Sequence, residues 1–166
     1  TPKGRLLDDL LVALVRTPRG SGTGAGASLH RALAADLGLE DFDPLDCAMA
    51  KPWTGFRPDC LAAQAADSAW RTAGDTLERL ELLASTLVSR SSKPNSNWTR
   101  TIAVLAYMES ELRPATQVCG DAEINGLLSG LDGRFVAPGP SGAPSRGRPE
   151  VLPTGRNFYS VDTRAV

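Results

Sequence analysis

At 166 residues the chain has the length of one ordinary domain and can enclose a real core. Its 18 basic and 19 acidic residues leave a formal net charge of -1, which counts against a general binder of nucleic acid or anionic membrane. The apolar share of 42% is too high for wholesale disorder. The longest apolar runs, Leu10–Val15 and Ile102–Met108, fall far short of the roughly 20 residues that span a bilayer.

The first element is a helix over Arg5–Arg16. Leu6, Leu7, Leu10, Leu11, Leu14 and Val15 recur at three- and four-residue spacing and form one apolar stripe. Pro18 and Gly20 end it. The run Gly20–Gly26 is a flexible loop by composition. Its Gly22-Thr23-Gly24-Ala25-Gly26-Ala27 text formally matches a dinucleotide fingerprint. A helix precedes it rather than a strand, so a surface loop is the simpler reading.

Ser28 caps a second helix over Leu29–Leu37, and Gly38 supplies its left-handed stop. Residues 40–58, with Pro44, Pro52 and Pro58, read as a connection. The spacing of Ala66, Trp70, Ala73, Leu77, Leu80, Ala84 and Leu87 predicts one long helix over Asp59–Ser89. Arg71, Asp75 and Arg79 alternate in charge at four-residue steps along it. Further helices are expected over Thr99–Leu112, ended by Pro114, and over Asp121–Leu131, ended by Gly133.

Beyond Gly133 no helical or strand period survives. Residues 133–157 hold five of the 12 prolines and five of the 16 glycines. The expected fold is therefore mainly α. About five helices over residues 1–132 pack together, and a long irregular strap over 133–166 belongs to the same domain. Short strands over Arg134–Ala137 or Phe158–Val161 fit the residue types there.

The chemistry-bearing residues are few. Cys47, Cys60 and Cys119 are an odd number without Cys-x-x-Cys spacing. They read as reduced, buried thiols of a cytoplasmic protein. His30 is the one histidine, and without a partner at ligand spacing it reads as helix surface or core. Glu109 and Glu111 point apart on a helix and make no catalytic pair, while Glu78 and Glu81 suit a solvated face.

From 133 onward Arg134, Arg146, Arg148, Arg156 and Arg164 stand against Glu150 and Asp162, a local surplus of three positive charges. Arginine grips carboxylates bidentately, so such a loop suits a polyanionic small ligand. The same composition suits a proline-stiffened strap over the helices with its arginines solvated or paired. The residue types alone favour neither.

The same stretch carries a family resemblance. Gly126-Leu127-Leu128, Leu131–Val136, Pro138–Gly142 and Val151–Ser160 resemble the large-subunit family of aerobic cobaltochelatase and magnesium chelatase. Leu6–Leu11 and Arg16–Gly20 fit the same family. The wording of Gly139–Pro144 and Arg156–Tyr159 is closer to its cobalt branch.

The resemblance implies a tetrapyrrole-binding subunit of an ATP-dependent ligase. With ATPase partner subunits it inserts Co2+ into hydrogenobyrinic acid a,c-diamide, on the aerobic route to cobalamin. ATP and Mg2+ would reside on the partners, and no cofactor is expected on these 166 residues alone. Because family members are several times longer, the chain is expected to be an internal piece that is inactive by itself.

Substrate contacts are expected from Arg134 and Arg156 to carboxylates and from Thr154 and Asn157 to amides, with Phe158 or Tyr159 on the ring. No catalytic or metal-ligating residue is identified. Two alternatives stay open: the magnesium branch, or a helical docking or spacer module that never touches substrate. Neither nucleic acid nor membrane is an expected partner.

Overall fold

The computed structural model describes residues 2–19, 26–140 and 142–155. The Gly20–Ala25 part of the glycine-rich loop and the Phe158–Val161 stretch lie outside them, as do Arg156 and Asn157. Among the described residues the fold is mainly α and has no strand, only one isolated bridge between Pro52 and Thr72. The helices are α1 (Pro2–Arg16), α2 (Leu29–Asp36), α3 (Asp59–Ala62), α4 (Ala73–Val88), α5 (Thr99–Tyr107), α6 (Arg113–Gln117) and α7 (Cys119–Leu131).

The core forms where α1, α2 and α3 pack on α4, and α5 joins it by packing on α2. Leu11, Leu14 and Val15 of α1, Leu29 and Leu33 of α2, Leu61 of α3, Leu80, Ala84 and Val88 of α4, and Val104 of α5 belong to one buried cluster. The stripe read on α1 is wider than its buried face, since Leu6 and Leu10 stay exposed. Burying each such leucine stabilises the fold by about 1.5–3 kcal/mol relative to leaving it in water.

Capping explains where the elements begin. The Ser28 hydroxyl accepts from the Arg31 amide at 3.4 Å and starts α2. Trp98 precedes α5 and offers no side-chain cap. Asp36 at the end of α2 does that work across the fold, accepting from the Thr101 amide at 2.7 Å. One carboxylate thereby satisfies orphan donors and joins α2 to α5.

The expected single helix over Asp59–Ser89 is two helices. α3 runs into a short 3-10 turn (Ala63–Ala65), the chain turns through 66–72, and α4 starts afresh. A capping box makes the new start. The Thr72 hydroxyl accepts from the Asp75 amide at 3.2 Å, and the Asp75 carboxylate accepts from the Thr72 amide at 2.8 Å and the Arg71 amide at 2.6 Å. Asp75 is thus a cap and not a rung of a charged ladder. Arg79 is buried. Its guanidinium donates to the carbonyls of Asp75, Ala65 and Ser68 and lies over the Trp70 ring.

A second departure follows Tyr107. The helix does not end at Leu112 but widens into a π turn (Met108–Leu112) and continues as α6 with Pro114 in its first turn. Proline cannot donate to the helical ladder and crowds the carbonyl one turn back, and a wider turn relieves both conflicts. Arg113 locks this corner by donating to Asp8 at 3.1 Å, Glu109 at 3.0 Å and the Val88 carbonyl at 3.0 Å. α7 begins two residues before the expected Asp121. Arg134–Ala137 joins no strand ladder and is irregular, because Pro138 and Pro140 follow and no strand lies alongside among the described residues.

His30 is core: it is wholly buried, and neither ring nitrogen has a hydrogen-bond partner. The three cysteines are free thiols and only half-buried. No helix is long and apolar enough to cross a membrane among the described residues.

Candidate functional site

The strap is fastened to the helices at two places. At the first, Thr17 at the end of α1 donates to the Ser145 carbonyl at 3.4 Å. Gly147 passes so near that a Cβ there would stand 2.8 Å from the Pro18 carbonyl oxygen, with φ at +79°. At the second, the chain lies on the N-terminal half of α7. The Thr154 amide donates to the Cys119 Sγ at 3.4 Å, and its hydroxyl donates to the Glu123 carboxylate. Gly155 follows at φ +90°. Only glycine combines that backbone angle with so close an approach to a helix.

Of the expected substrate-binding residues, Arg134 and Thr154 are described, while Arg156 and Asn157 lie outside. The two described residues do not converge. Arg134 stands past the C-terminal end of α7, exposed and paired with Asp132 at 2.9 Å. Thr154 sits at Glu123, and Glu123 to Leu131 spans about 12 Å of helix.

What lies between them was missed in the sequence. No residue of α7 is buried. Ile124, Leu127, Leu128 and Leu131 are each more than half exposed, and Phe135 beyond them is 86% exposed. Their spacing marks one continuous apolar face. The signal was present in the sequence, but the same stripe ordinarily means core.

A further arginine of the strap, Arg148, is occupied, since it donates to Glu150 at 2.8 Å. Among the described residues no group of three or more His, Cys, Asp or Glu side chains is placed to hold a metal ion. The arrangement is an open apolar helix face flanked by hydrogen-bonding and cationic groups. Such an arrangement can bind a ligand that pairs apolar surface with polar arms.

Such a face is open apolar surface and not a closed pocket. The family model for CobN/magnesium chelatase matches residues 1–166, and the chain belongs to that family. It is 56% identical to the aerobic cobaltochelatase subunit CobN of a Sinorhizobium species and 53% identical to that of Pseudomonas aeruginosa. Each match covers 99% of this chain, but 14% and 13% of the respective relative. The chain thus spans about a seventh of the length of these relatives. A shorter similarity, 58% over 40 residues and 24% of this chain, links it to a magnesium-chelatase subunit of Rhodobacter capsulatus. No solved structure matches.

Proposed function

We propose that this chain is part of the tetrapyrrole-binding large subunit of an ATP-dependent cobaltochelatase that inserts Co2+ into hydrogenobyrinic acid a,c-diamide in aerobic cobalamin synthesis. The observation that carries this reading is 56% identity to an aerobic cobaltochelatase subunit over nearly the whole chain. The magnesium branch is less favoured, because similarity to the magnesium-chelatase subunit of Rhodobacter capsulatus covers only 24% of the chain. Residues 1–132 and the strap act as one domain of a much longer cytoplasmic subunit, inactive when detached. ATP and its Mg2+ belong to partner ATPase subunits; these 166 residues contain no Gly-Lys-Ser/Thr phosphate loop.

The substrate joins an apolar ring to carboxylate and amide arms. The ring lies on the α7 face, where Leu127 and Leu128 desolvate it. Arg134 and Arg156 hold carboxylate arms by charge-assisted hydrogen bonds. The Thr154 hydroxyl already donates to Glu123, so its lone pairs are left to accept from an amide N–H, and Asn157 bonds a second amide. Phe158 or Tyr159 covers the ring.

Titration of the full-length subunit with hydrogenobyrinic acid a,c-diamide tests this. Arg156→Ala should weaken binding about tenfold or more, with the melting temperature unchanged. Unchanged affinity and turnover would remove Arg156 from the site. Lost stability with intact affinity would make the strap structural.

A further inference from the structure

A concavity lies between the end of α2 and the start of α4, and no residue of α7 lines it. It is a cleft of about 440 Å3 lined by residues 38–43, 46–48 and 51–56 together with Ala73. Gly38, at φ +72°, turns the chain out of α2 and into it. The connection is tied to α4 by backbone hydrogen bonds from Trp53 N to Arg71 O at 2.7 Å and from Ala73 N to Lys51 O at 2.9 Å. The walls are therefore built rather than loose.

The floor is aromatic. Phe42 is buried and meets Trp53 edge-on, with centroids 5.2 Å apart. The indole N–H is already used, donating to the Phe56 carbonyl at 3.2 Å, and Gly55 packs on the ring. What Trp53 offers the cleft is π surface. Phe56 stands 67% exposed at its side.

The rim is acidic. Glu40, Asp41, Asp43 and Asp46 line the cleft against one cation, Lys51. Arg31 neutralises Asp43 through two hydrogen bonds of 2.8 and 2.6 Å. Glu40, Asp41 and Asp46 are exposed and form no ion pair with any described residue. The half-buried Cys47 thiol lines the same cleft, where burial first, and then the charges of Asp43 and Asp46, push its pKa up.

We propose that this cleft docks an arginine-bearing segment of a partner subunit, its guanidinium between the Trp53 and Phe56 rings and the Glu40, Asp41 and Asp46 carboxylates. Carboxylates on low-dielectric walls focus a negative potential, and aromatic faces add cation–π attraction. Arginine suits both, being planar and bidentate. The polycarboxylate tetrapyrrole carries the wrong charge, so the cleft is not a second substrate site. An aromatic centre inside a charged rim is the anatomy of a reversible protein contact. The apolar α7 face, by contrast, suits a permanent or ligand-covered one. The claim rests on the chelatase reading only in placing the segment on another subunit.

Two arms test it. In the first, the full chain is titrated with acetyl-Gly-Arg-Leu-Arg-Gly-amide and with its glutamate twin, by calorimetry and by the alkylation rate of Cys47. The arginine peptide should bind saturably below about 1 mM, weaken with salt, and slow alkylation of Cys47 but not of Cys60 or Cys119. The triple variant E40Q/D41N/D46N, altered only at exposed positions, should keep its melting temperature and lose about tenfold in affinity. No saturation, equal binding of the glutamate twin, or wild-type affinity in the variant overturns the site.

In the second arm the assembled chelatase is used. The same variant should weaken association with the ATPase subunits about tenfold while tetrapyrrole affinity stays unchanged. Unchanged association overturns the partner assignment. Loss of tetrapyrrole affinity alone overturns the separation of the two sites.

Discussion

Gly155 lies so close to Glu123 that a β-carbon on it would stand 2.6 Å from the Glu123 Cα. Its φ of +90° independently excludes a comfortable side chain. Gly155→Ala should therefore lift the strap from α7 and free Thr154 from the Glu123 carboxylate. Because the core helices do not depend on that contact, the change should cost stability only modestly, about 1–3 kcal/mol. It should also open residues 142–155 to protease. Limited proteolysis with mass mapping reads this directly; an uncleaved strap in the variant would refute it.

Arg79 holds the turn between α3 and α4. Its side chain is 1% exposed and donates to the Ser68 carbonyl at 2.6 Å and to those of Ala65 and Asp75 at 3.0 Å each. Arg79→Met keeps much of the apolar stem but leaves three carbonyls short of a donor. The expected loss is about 3 kcal/mol or more by urea denaturation. Arg79→Lys should recover only part of it, because an ammonium cannot reproduce the planar fork against Trp70. Full rescue by lysine would show that charge alone matters.

Those two sites mark where the sequence was legible and where it was not. The α1, α2 and α5 helices could be read because periodicity, the Ser28 cap and the Gly38 stop agree. The turn at 66–72 could not, because Ala66, Trp70 and Ala73 keep helical spacing across it. What decides the break is competition: the Asp75 carboxylate and Thr72 hydroxyl take backbone amides that a continuous helix would use internally. Local charge drew attention to the strap's arginines, and the resemblance included Leu127, Leu128 and Leu131 of α7, yet their exposure was not legible, since an apolar stripe says nothing about which face stays open. The acidic cleft was invisible for a different reason. Its carboxylates converge only once Gly38 and the Trp53–Arg71 bond fold the connection back on α4.

His30 makes stability pH-dependent. Burial, and then the nearby charge of Arg16, pull its pKa from 6.5 down to about 4. Below about pH 6.5 the unfolded chain takes up a proton that the folded chain refuses, so acid favours unfolding. The loss grows as pH falls and levels off once the pH is below about 4, at about 3 kcal/mol. Since neither ring nitrogen has a partner, His30→Leu sacrifices no hydrogen bond. Denaturation midpoints between pH 4 and 7 should slope steeply in the wild type and flatten in this variant. Equal slopes would assign the acid sensitivity to other groups.

The exposed face of α7 separates a ligand surface from a packing surface. Leu127 and Leu128 are 52% and 55% exposed, so Leu127→Ser and Leu128→Ser remove no core contact within this chain. Each should change its stability by no more than about 0.5 kcal/mol. Both should reduce self-association of the 166-residue chain in sedimentation, because less apolar surface is then left to be covered. In the full-length subunit the two readings diverge. If the ring rests on this face, the double variant keeps the wild-type melting temperature and loses about tenfold in tetrapyrrole affinity, as burial of two leucines against a ligand implies. If another part of the subunit already covers it, the melting temperature drops while the survivors bind the ring normally, and the face must be withdrawn from the substrate site.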